Sequence, residues 1–251
     1  MRRGLVPSRA RAVEAIDAGL VLVGGAPAST PARQVDAGES ITVQRAGNQY
    51  VSRGGQKLAA GLDAFGVDVA GRLAVDIGSS TGGFTDCLLQ RGAAHVVAID
   101  VGTNQLAWSL RQDPRVTVME RTNVRNLDGS ALDAPADLCV ADLSFISLRT
   151  VAPHLLELTT DTADYVLLVK PQYEAGRERL GKGGIVRDPA VHAAVLHEVT
   201  EGLAVTGLGI DAVIRSPLTG ADGNVEFVVH ARRGPARLTV EECNAIAEVA
   251  A

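Results

Sequence analysis

The chain holds only three cysteines, Cys87, Cys139 and Cys243. They are odd in number and far apart, which fits neither a disulfide framework nor a zinc site. Histidine is almost as sparse. His95, His154, His192, His197 and His230 are scattered, with none paired at ligand spacing, so all five read as structural and no metal is expected. No apolar run reaches the length of a transmembrane helix. Met1-Arg2-Arg3-Gly4-Leu5 lacks the apolar core of a signal peptide. These absences predict a reduced, cytoplasmic protein with no membrane partner. What is present suffices for a core: 46% of the 251 residues are apolar, enough for one medium domain and one small one.

The net charge of −5 is unevenly spread. Residues 1–57 carry eight Lys/Arg against four Asp/Glu, whereas residues 58–251 carry sixteen against twenty-five. A basic N-terminal piece on an acidic body points to contact with a polyanion.

The body is organised around Ala74-Val75-Asp76-Ile77-Gly78-Ser79-Ser80-Thr81-Gly82-Gly83-Phe84. Leu73 to Ile77 reads as a short buried strand. A glycine turn follows, then an amphipathic helix over Phe84 to Arg91. Gly78, Gly82 and Gly83 permit a sharp bend and close approach of a ligand. The N–H groups at the helix start favour polar or anionic ligand groups. A second strand, His95 to Ile99, ends in Asp100, where a carboxylate can accept hydrogen bonds from ribose hydroxyls. The unit therefore predicts a nucleoside-containing cofactor. The glycine spacing is not that of a dinucleotide fingerprint, which favours S-adenosylmethionine, a cofactor without a pyrophosphate.

Strands and helices alternate downstream. Further strands are expected over Arg115 to Met119, Asp137 to Ala141, Tyr165 to Val169, Ile210 to Arg215 and Val225 to Ala231. Helices are expected over Gln56 to Phe65, Val151 to Leu158, Pro189 to Thr206 and Val240 to Val249. Glu174 to Arg187 reads as a mobile loop. The pattern predicts an α/β, Rossmann-like doubly wound sheet of seven strands, the last antiparallel. Ligands of such sheets lie beyond the carboxyl ends of the parallel strands. Asp100, Asp142 and Lys170 all fall there, and Glu226 starts the reversed strand at the same edge. Lys57 falls in the first turn of a helix, where its charge opposes the helix dipole, so a functional role is expected.

The N-terminal piece predicts a helix from Ser8 to Gly19, capped at both ends, then a Val21-Leu22-Val23 strand, a Gly24-Gly25 turn and a closing strand at Ser40 to Val43. It resembles the αL RNA-binding domain of the ribosomal-protein-S4 kind, which implies that Arg2, Arg3, Arg9, Arg11 and Arg33 face RNA phosphates. Such domains carry another helix in front, so the first helix is expected to be shortened. The domain layout expected is 1–44 for RNA binding, 45–53 as linker and 54–251 for catalysis.

Asp76-x-Gly78-x-Ser80-Thr81-Gly82-Gly83-Phe84, Asp142-Leu143-Ser144-Phe145-Ile146-Ser147, Lys170-Pro171-Gln172-Tyr173-Glu174 and Gly223-Asn224-Val225-Glu226 together resemble the TlyA family. Its members are ribosomal RNA 2′-O-methyltransferases, some of them called haemolysins, with a catalytic domain similar to FtsJ. The resemblance implies a catalytic tetrad of Lys57, Asp142, Lys170 and Glu226. It implies cofactor contacts from Asp76, Gly78, Ser80, Thr81, Gly82, Gly83 and Phe84, with Asp100 at the ribose, Asn123 near the adenine and Phe145 at the pocket wall. It implies ribosomal RNA or ribosomal subunits as partner and cytidine ribose as target. The protein is expected to act as a monomer. Lys170 is either a general base or a charged group that steers the hydroxyl lone pair. Two other readings compete: a membrane-active haemolysin, and an RNA-binding protein with an inactive enzyme domain.

Overall fold

Residues 5–6, 9–17, 21–24, 26–28, 30–36, 38–43, 50–220 and 222–249 are described in a computed structural model. The chain divides into two units, Met1–Gln49 and Tyr50–Ala251. The first contains helix α1 (Arg9–Asp17) and strands β1 (Val21–Val23), β2 (Ala26–Pro27) and β3 (Ile41–Val43). The strands form an antiparallel sheet in the order β2-β1-β3. Gly24 turns the chain at φ +59°, where a side chain would be strained. The core of this unit is small: Val21, Val23 and Ala28, flanked by Ala15, Ile16, Val35, Ile41 and Val43. The expected cap residues Ser8 and Gly19, with Arg2, Arg3 and linker residues 45–49, lie outside the described residues.

The second unit opens with α2 (Gly54–Phe65), β4 (Leu73–Ile77), α3 (Gly83–Gln90), β5 (His95–Ile99), α4 (Trp108–Arg111), β6 (Val116–Met119) and β7 (Ala136–Ala141). It continues through α5 (Leu148–Glu157), β8 (Thr159–Val169), α6 (Pro171–Glu174), α7 (Pro189–Val205), β9 (Leu208–Arg215), β10 (Phe227–Arg233) and α8 (Val240–Val249). The seven strands follow the order β6-β5-β4-β7-β8-β10-β9, and β10 runs antiparallel to both neighbours. This is the expected α/β sheet with its last strand reversed.

The strands are apolar throughout because both faces are covered. Alternate residues point to opposite sides. Val75, Ile77, Val97, Ile99, Cys139 and Tyr165 join the core under α5, α7 and α8. Ala74, Val96, Ala98, Leu138, Val140 and Val166 join the core under α2 and α3. Helix α2 contributes Leu58 and Leu62 there, and Gly61 lets it lie close, since a Cβ at that position would stand 2.6 Å from Val228 Cγ1.

Several boundaries differ from expectation. Strand β8 begins at Thr159, not Tyr165, because its polar start is satisfied locally: the Thr159 hydroxyl meets the Tyr165 hydroxyl, and Asp164 pairs with Arg72, His230 and Arg232. Helix α5 begins at Leu148, capped by Ser147, whose hydroxyl accepts from Arg149 N at 3.1 Å. The segment expected as a mobile loop is an ordered strap of short turns. Glu174, Ala175 and Val186 are buried in it, and Arg179 grips Glu198 of α7 through two bonds of 2.6 and 2.8 Å.

Helices α2 and α3 meet at their N-termini through bare glycine. A Cβ on Gly83 would stand 2.2 Å from Ser52 Oγ and 2.9 Å from Gly55 N. Gly83→Ala is therefore expected to lower unfolding free energy by about 1–3 kcal/mol in urea titration, the usual cost of overpacking. An unchanged midpoint would show that the two helix ends separate freely.

Candidate active site

A cavity of ≈ 430 Å³ opens beyond the carboxyl ends of β4, β5 and β7. Its floor is the glycine turn. Gly78 has φ +83°, and a Cβ there would lie 2.6 Å from the Asp142 carbonyl oxygen. Only glycine allows the turn to sit that close to the end of β7. Gly78 N and Ser79 N both donate to Ile99 O, at 2.8 and 3.2 Å, and Asp142 N donates to Ile77 O at 3.1 Å. Three strand ends are thus tied into one rim.

Asp100 organises the next part of the rim. Its Oδ2 accepts from Ser80 N at 2.8 Å and its Oδ1 from Gly102 N at 2.6 Å. Each oxygen keeps a second lone pair for a ligand hydroxyl. Ser80 is held at φ +47° and its hydroxyl meets Gln105 Oε1 at 3.2 Å. Asn123 accepts from Arg125 N through Oδ1 at 3.1 Å, which fixes its amide at the wall.

Of the residues expected at the cofactor, Gly78, Ser80, Asp100, Asn123 and Phe145 line this cavity. Asp76, Thr81, Gly82, Gly83 and Phe84 do not. Gly82 lies under Leu106 and Leu110, Gly83 lies against α2, and Phe84 is buried in the core. Those residues shape the turn from behind. Thr81 accepts from Ala107 N through its carbonyl at 3.2 Å. Sequence reasoning missed Gln105, Thr122 and Leu143, which also line the cavity. They sit in irregular segments, where no periodicity marks them.

Asp76 is fully buried. Thr85 Oγ1 donates to its Oδ2 at 2.6 Å, and Oδ1 has no partner among the described residues. Burial pushes its carboxyl up to about 7, with Asp142 and Asp100 adding to the rise and the Thr85 bond opposing it. Among the described residues the charged lining of the cavity is wholly acidic: Asp100 and Asp142, with no lysine, arginine or histidine.

The four residues of the expected tetrad form two ion pairs. Lys57 is the fourth residue of α2, 7% exposed, and its ammonium meets the carboxylate of Glu226, 2% exposed. Lys170 follows the last residue of β8, and its Nζ lies 2.6 Å from Asp142 Oδ1. That contact is one of charge, off the line of an aligned hydrogen bond. The pairing Phe227↔Val169 puts Glu226 beside the strand end that carries Lys170. The two pairs therefore occupy neighbouring strand ends. Asp142 belongs both to the cavity wall and to the second pair. Two further neighbours of Lys170 were not foreseen: Ser144 Oγ at 3.2 Å and the Tyr173 ring, its centroid 5.8 Å from Nζ. Phe145 is 89% exposed at φ +64°, with its ring centroid 5.1 Å from that of Tyr173.

Charge is sorted around the second unit. Arg53, Arg121, Arg125, Arg177, Lys182 and Arg187 are exposed and have no carboxylate partner among the described residues. All six lie in segments at the edge where the cavity opens: before α2, after β6, or in the strap after β8. Basic side chains at the opposite edge are paired, as Arg72 and Arg232 are with Asp164. In the first unit Arg9 is exposed, whereas Arg33 pairs with Glu39 at 3.2 Å. The side chain of Arg11, like Arg2 and Arg3, lies outside the described residues.

Residues 50–233 match the FtsJ-like methyltransferase model, and residues 2–41 match the S4 domain. The 16S/23S rRNA (cytidine-2′-O)-methyltransferase TlyA of Mycobacterium tuberculosis is 50% identical over 233 residues, covering 92% of this chain and 87% of that protein. The chain belongs to the TlyA family of FtsJ-like methyltransferases. Hemolysin A of Brachyspira hyodysenteriae is 38% identical, over 90% of this chain and 95% of its own. A solved structure from Streptococcus thermophilus, of a protein named as a haemolysin, superposes with a TM-score of 0.79 at 38% identity, over 99% of this chain and 92% of that one. Haemolysin is thus a second name within one family. No helix of the described residues is long and apolar enough to cross a membrane.

The buried Asp76 gives a pH signature. A neutral carboxyl in the folded state means that the unfolded chain, with its ordinary carboxylate, holds fewer protons between pH 4 and 7. Stability is full below the unfolded pKa and is lost as pH rises toward 7, by up to about 1.4 kcal/mol per pH unit. Asp76→Asn removes this loss. The variant's stability relative to the natural protein is expected to rise from pH 4 to 7 and to level off above, in urea titrations across that range. A constant difference would show that Asp76 is ionised in the fold.

Proposed function

We propose that the protein transfers a methyl group from S-adenosylmethionine to the 2′-hydroxyl of a cytidine in ribosomal RNA. The observation that carries the reading is the double role of Asp142, which lines the cavity and holds Lys170. The acceptor hydroxyl would thus lie at the boundary between cofactor and lysine. The lining supports this cofactor: Asp100, which has no basic partner among the described residues, suits a ligand with positive charge and opposes a pyrophosphate, while Asp142 is matched by Lys170. Gly78, Ser80, Asp100 and Asn123 would hold the nucleoside part. When bound, the cofactor supplies a methyl group on a cationic sulfur.

The chain's own residues do the rest. Lys170 would meet the 2′-oxygen. As a neutral amine it would take the hydroxyl proton; as an ammonium it would direct the oxygen lone pair toward the cavity, and the hydroxyl proton would leave to solvent water as the carbon–oxygen bond forms. The Asp142 carboxylate at 2.6 Å and the face of Tyr173 both attract a cation, which favours the orienting role. Lys57 and Glu226 would hold the ribose from the neighbouring strand end.

Ribosomal RNA as substrate rests on the S4 match, on the name of the Mycobacterium tuberculosis relative and on the unpaired basic rim. We assign 1–44 to RNA binding, 45–53 to the linker and 54–251 to catalysis, in a protein acting as a monomer in the cytoplasm. No feature of the described residues favours a membrane-active role over this one.

The direct test is methyl incorporation from labelled cofactor into unmethylated small and large ribosomal subunits, with primer extension to locate the ribose. Incorporation at a cytidine 2′-hydroxyl is expected. Lys170→Ala should abolish it while cofactor affinity, read by calorimetry, stays within a few-fold; near-normal transfer would remove Lys170 from the reaction.

Reversing Arg121, Arg177 and Lys182 to Glu is expected to weaken RNA binding and flatten its dependence on salt by roughly 0.7–0.9 in log–log slope per lost phosphate contact. Cofactor affinity should not change. An unaltered slope would confine RNA contact to the first unit.

A further inference from the structure

Glu226 meets Lys57 from a position outside regular structure, one residue before β10. Its backbone is held at the end of the ladder, where Ser216 N donates to Glu226 O at 2.9 Å, but that bond does not set where the side chain stands. The loop before it makes a tight turn, with Gly223 N donating to Gly220 O at 3.1 Å and Gly220 N to Asn224 O at 2.8 Å. Gly220 is bare where it faces the carboxylate: a Cβ would lie 2.6 Å from Glu226 Oε1. The turn therefore dictates where that carboxylate can stand.

The turn in turn is held by one side chain. Asn224 is 2% exposed. Its Oδ1 accepts from Val186 N at 3.0 Å and its Nδ2 donates to Gly184 O at 3.4 Å. Val186 is itself clamped from the other side, where His192 Nε2 of α7 donates to its carbonyl at 3.1 Å. A buried amide with both ends satisfied is a rigid link. It joins the strap that follows Lys170, with its unpaired Arg177, Lys182 and Arg187, to the loop that carries Glu226.

We propose that Asn224 is a positioning residue: it sets Glu226, and through Glu226 the ammonium of Lys57, and it couples that pair to the basic strap. This rests on the tetrad reading given above. Asn224 touches neither the cavity nor Lys170, so its effect should be on rate and not on cofactor binding.

The test compares Asn224→Ala, Asn224→Asp and Glu226→Gln, alone and combined. Asn224→Ala is expected to slow single-turnover transfer at saturating cofactor and RNA by roughly ten- to a hundredfold, the scale of a small misplacement. Cofactor affinity should stay within about twofold. Asn224→Asp keeps the acceptor for Val186 N and should recover part of the rate. In the Glu226→Gln background, Asn224→Ala should cost little more. An equal loss in both backgrounds, or no loss in either, would overturn the proposal.

A second readout does not need activity. The coupling between Lys57 and Glu226, from a Lys57→Met and Glu226→Gln double-mutant cycle in urea, should fall by more than half when Asn224 is Ala, or Asp if the alanine variant does not fold. Unchanged coupling would refute the positioning role. A natural protein that transfers no methyl group, but shows this loss of coupling, would refute the methyltransferase reading alone.

Discussion

Everything at the carboxyl edge depends on one close approach, that of Gly78 to the Asp142 carbonyl. Neighbouring strand ends β4 and β7 are ordinarily separated by the side chains that follow them. Here the first residue after β4 has no Cβ, and the chain after β7 folds over it. The cavity beyond the strand ends and the carboxylate that holds Lys170 become parts of one wall. A larger residue at 78 would push β7's exit away and separate the two halves of the site, even with every other residue unchanged.

Electrostatics divides the labour on that edge. The cavity is acidic, and a third carboxyl, Asp76, is buried behind the turn. The surrounding rim is basic and has no carboxylate partner among the described residues, whereas Arg72, Arg91, Arg115 and Arg232 elsewhere in the unit are spent on ion pairs. Opposite charges so near each other would tend to cancel. The rim arginines avoid this by standing on loops exposed to solvent, where water screens them from the recessed carboxylates. A net acidic body can thus present a cationic edge, a property that the overall charge of −5 conceals.

Much of the fold was legible in the chain. Leu73 to Ile77 and His95 to Ile99 are strands with the expected bounds because their apolar runs are buried on both faces. The reversal of β10 was legible from the short, helix-free connection before it. The gathering of Lys57, Asp142, Lys170 and Glu226 at one edge was legible from topology combined with family resemblance, but their division into two ion pairs was not, since spacing alone does not join residues 169 positions apart. What was hidden is what has no period. Thr159 to Asp164 extend β8 past the apolar run, and Asp164 there finds Arg72, His230 and Arg232, all far away in sequence. The strap looked mobile because its composition is Gly, Arg and Lys, and its order comes from Arg179, Asn224 and His192, each reaching to another element. Asp76, Gly82, Gly83 and Phe84 look like ligand contacts because they share a motif with Gly78. The motif records turn geometry as much as binding, and the sequence does not distinguish the two.

Phe145 is where folding and use pull apart. A phenylalanine held at φ +64° carries backbone strain of order 1–3 kcal/mol, and its ring, 89% exposed, returns almost nothing through burial. Selection for stability alone would favour glycine or asparagine there. Thermostabilising schemes that score sequences by folding energy will therefore pick out this position early. A library built that way would drift toward hardier proteins that have lost the aromatic face beside Tyr173, and only a screen for activity would notice.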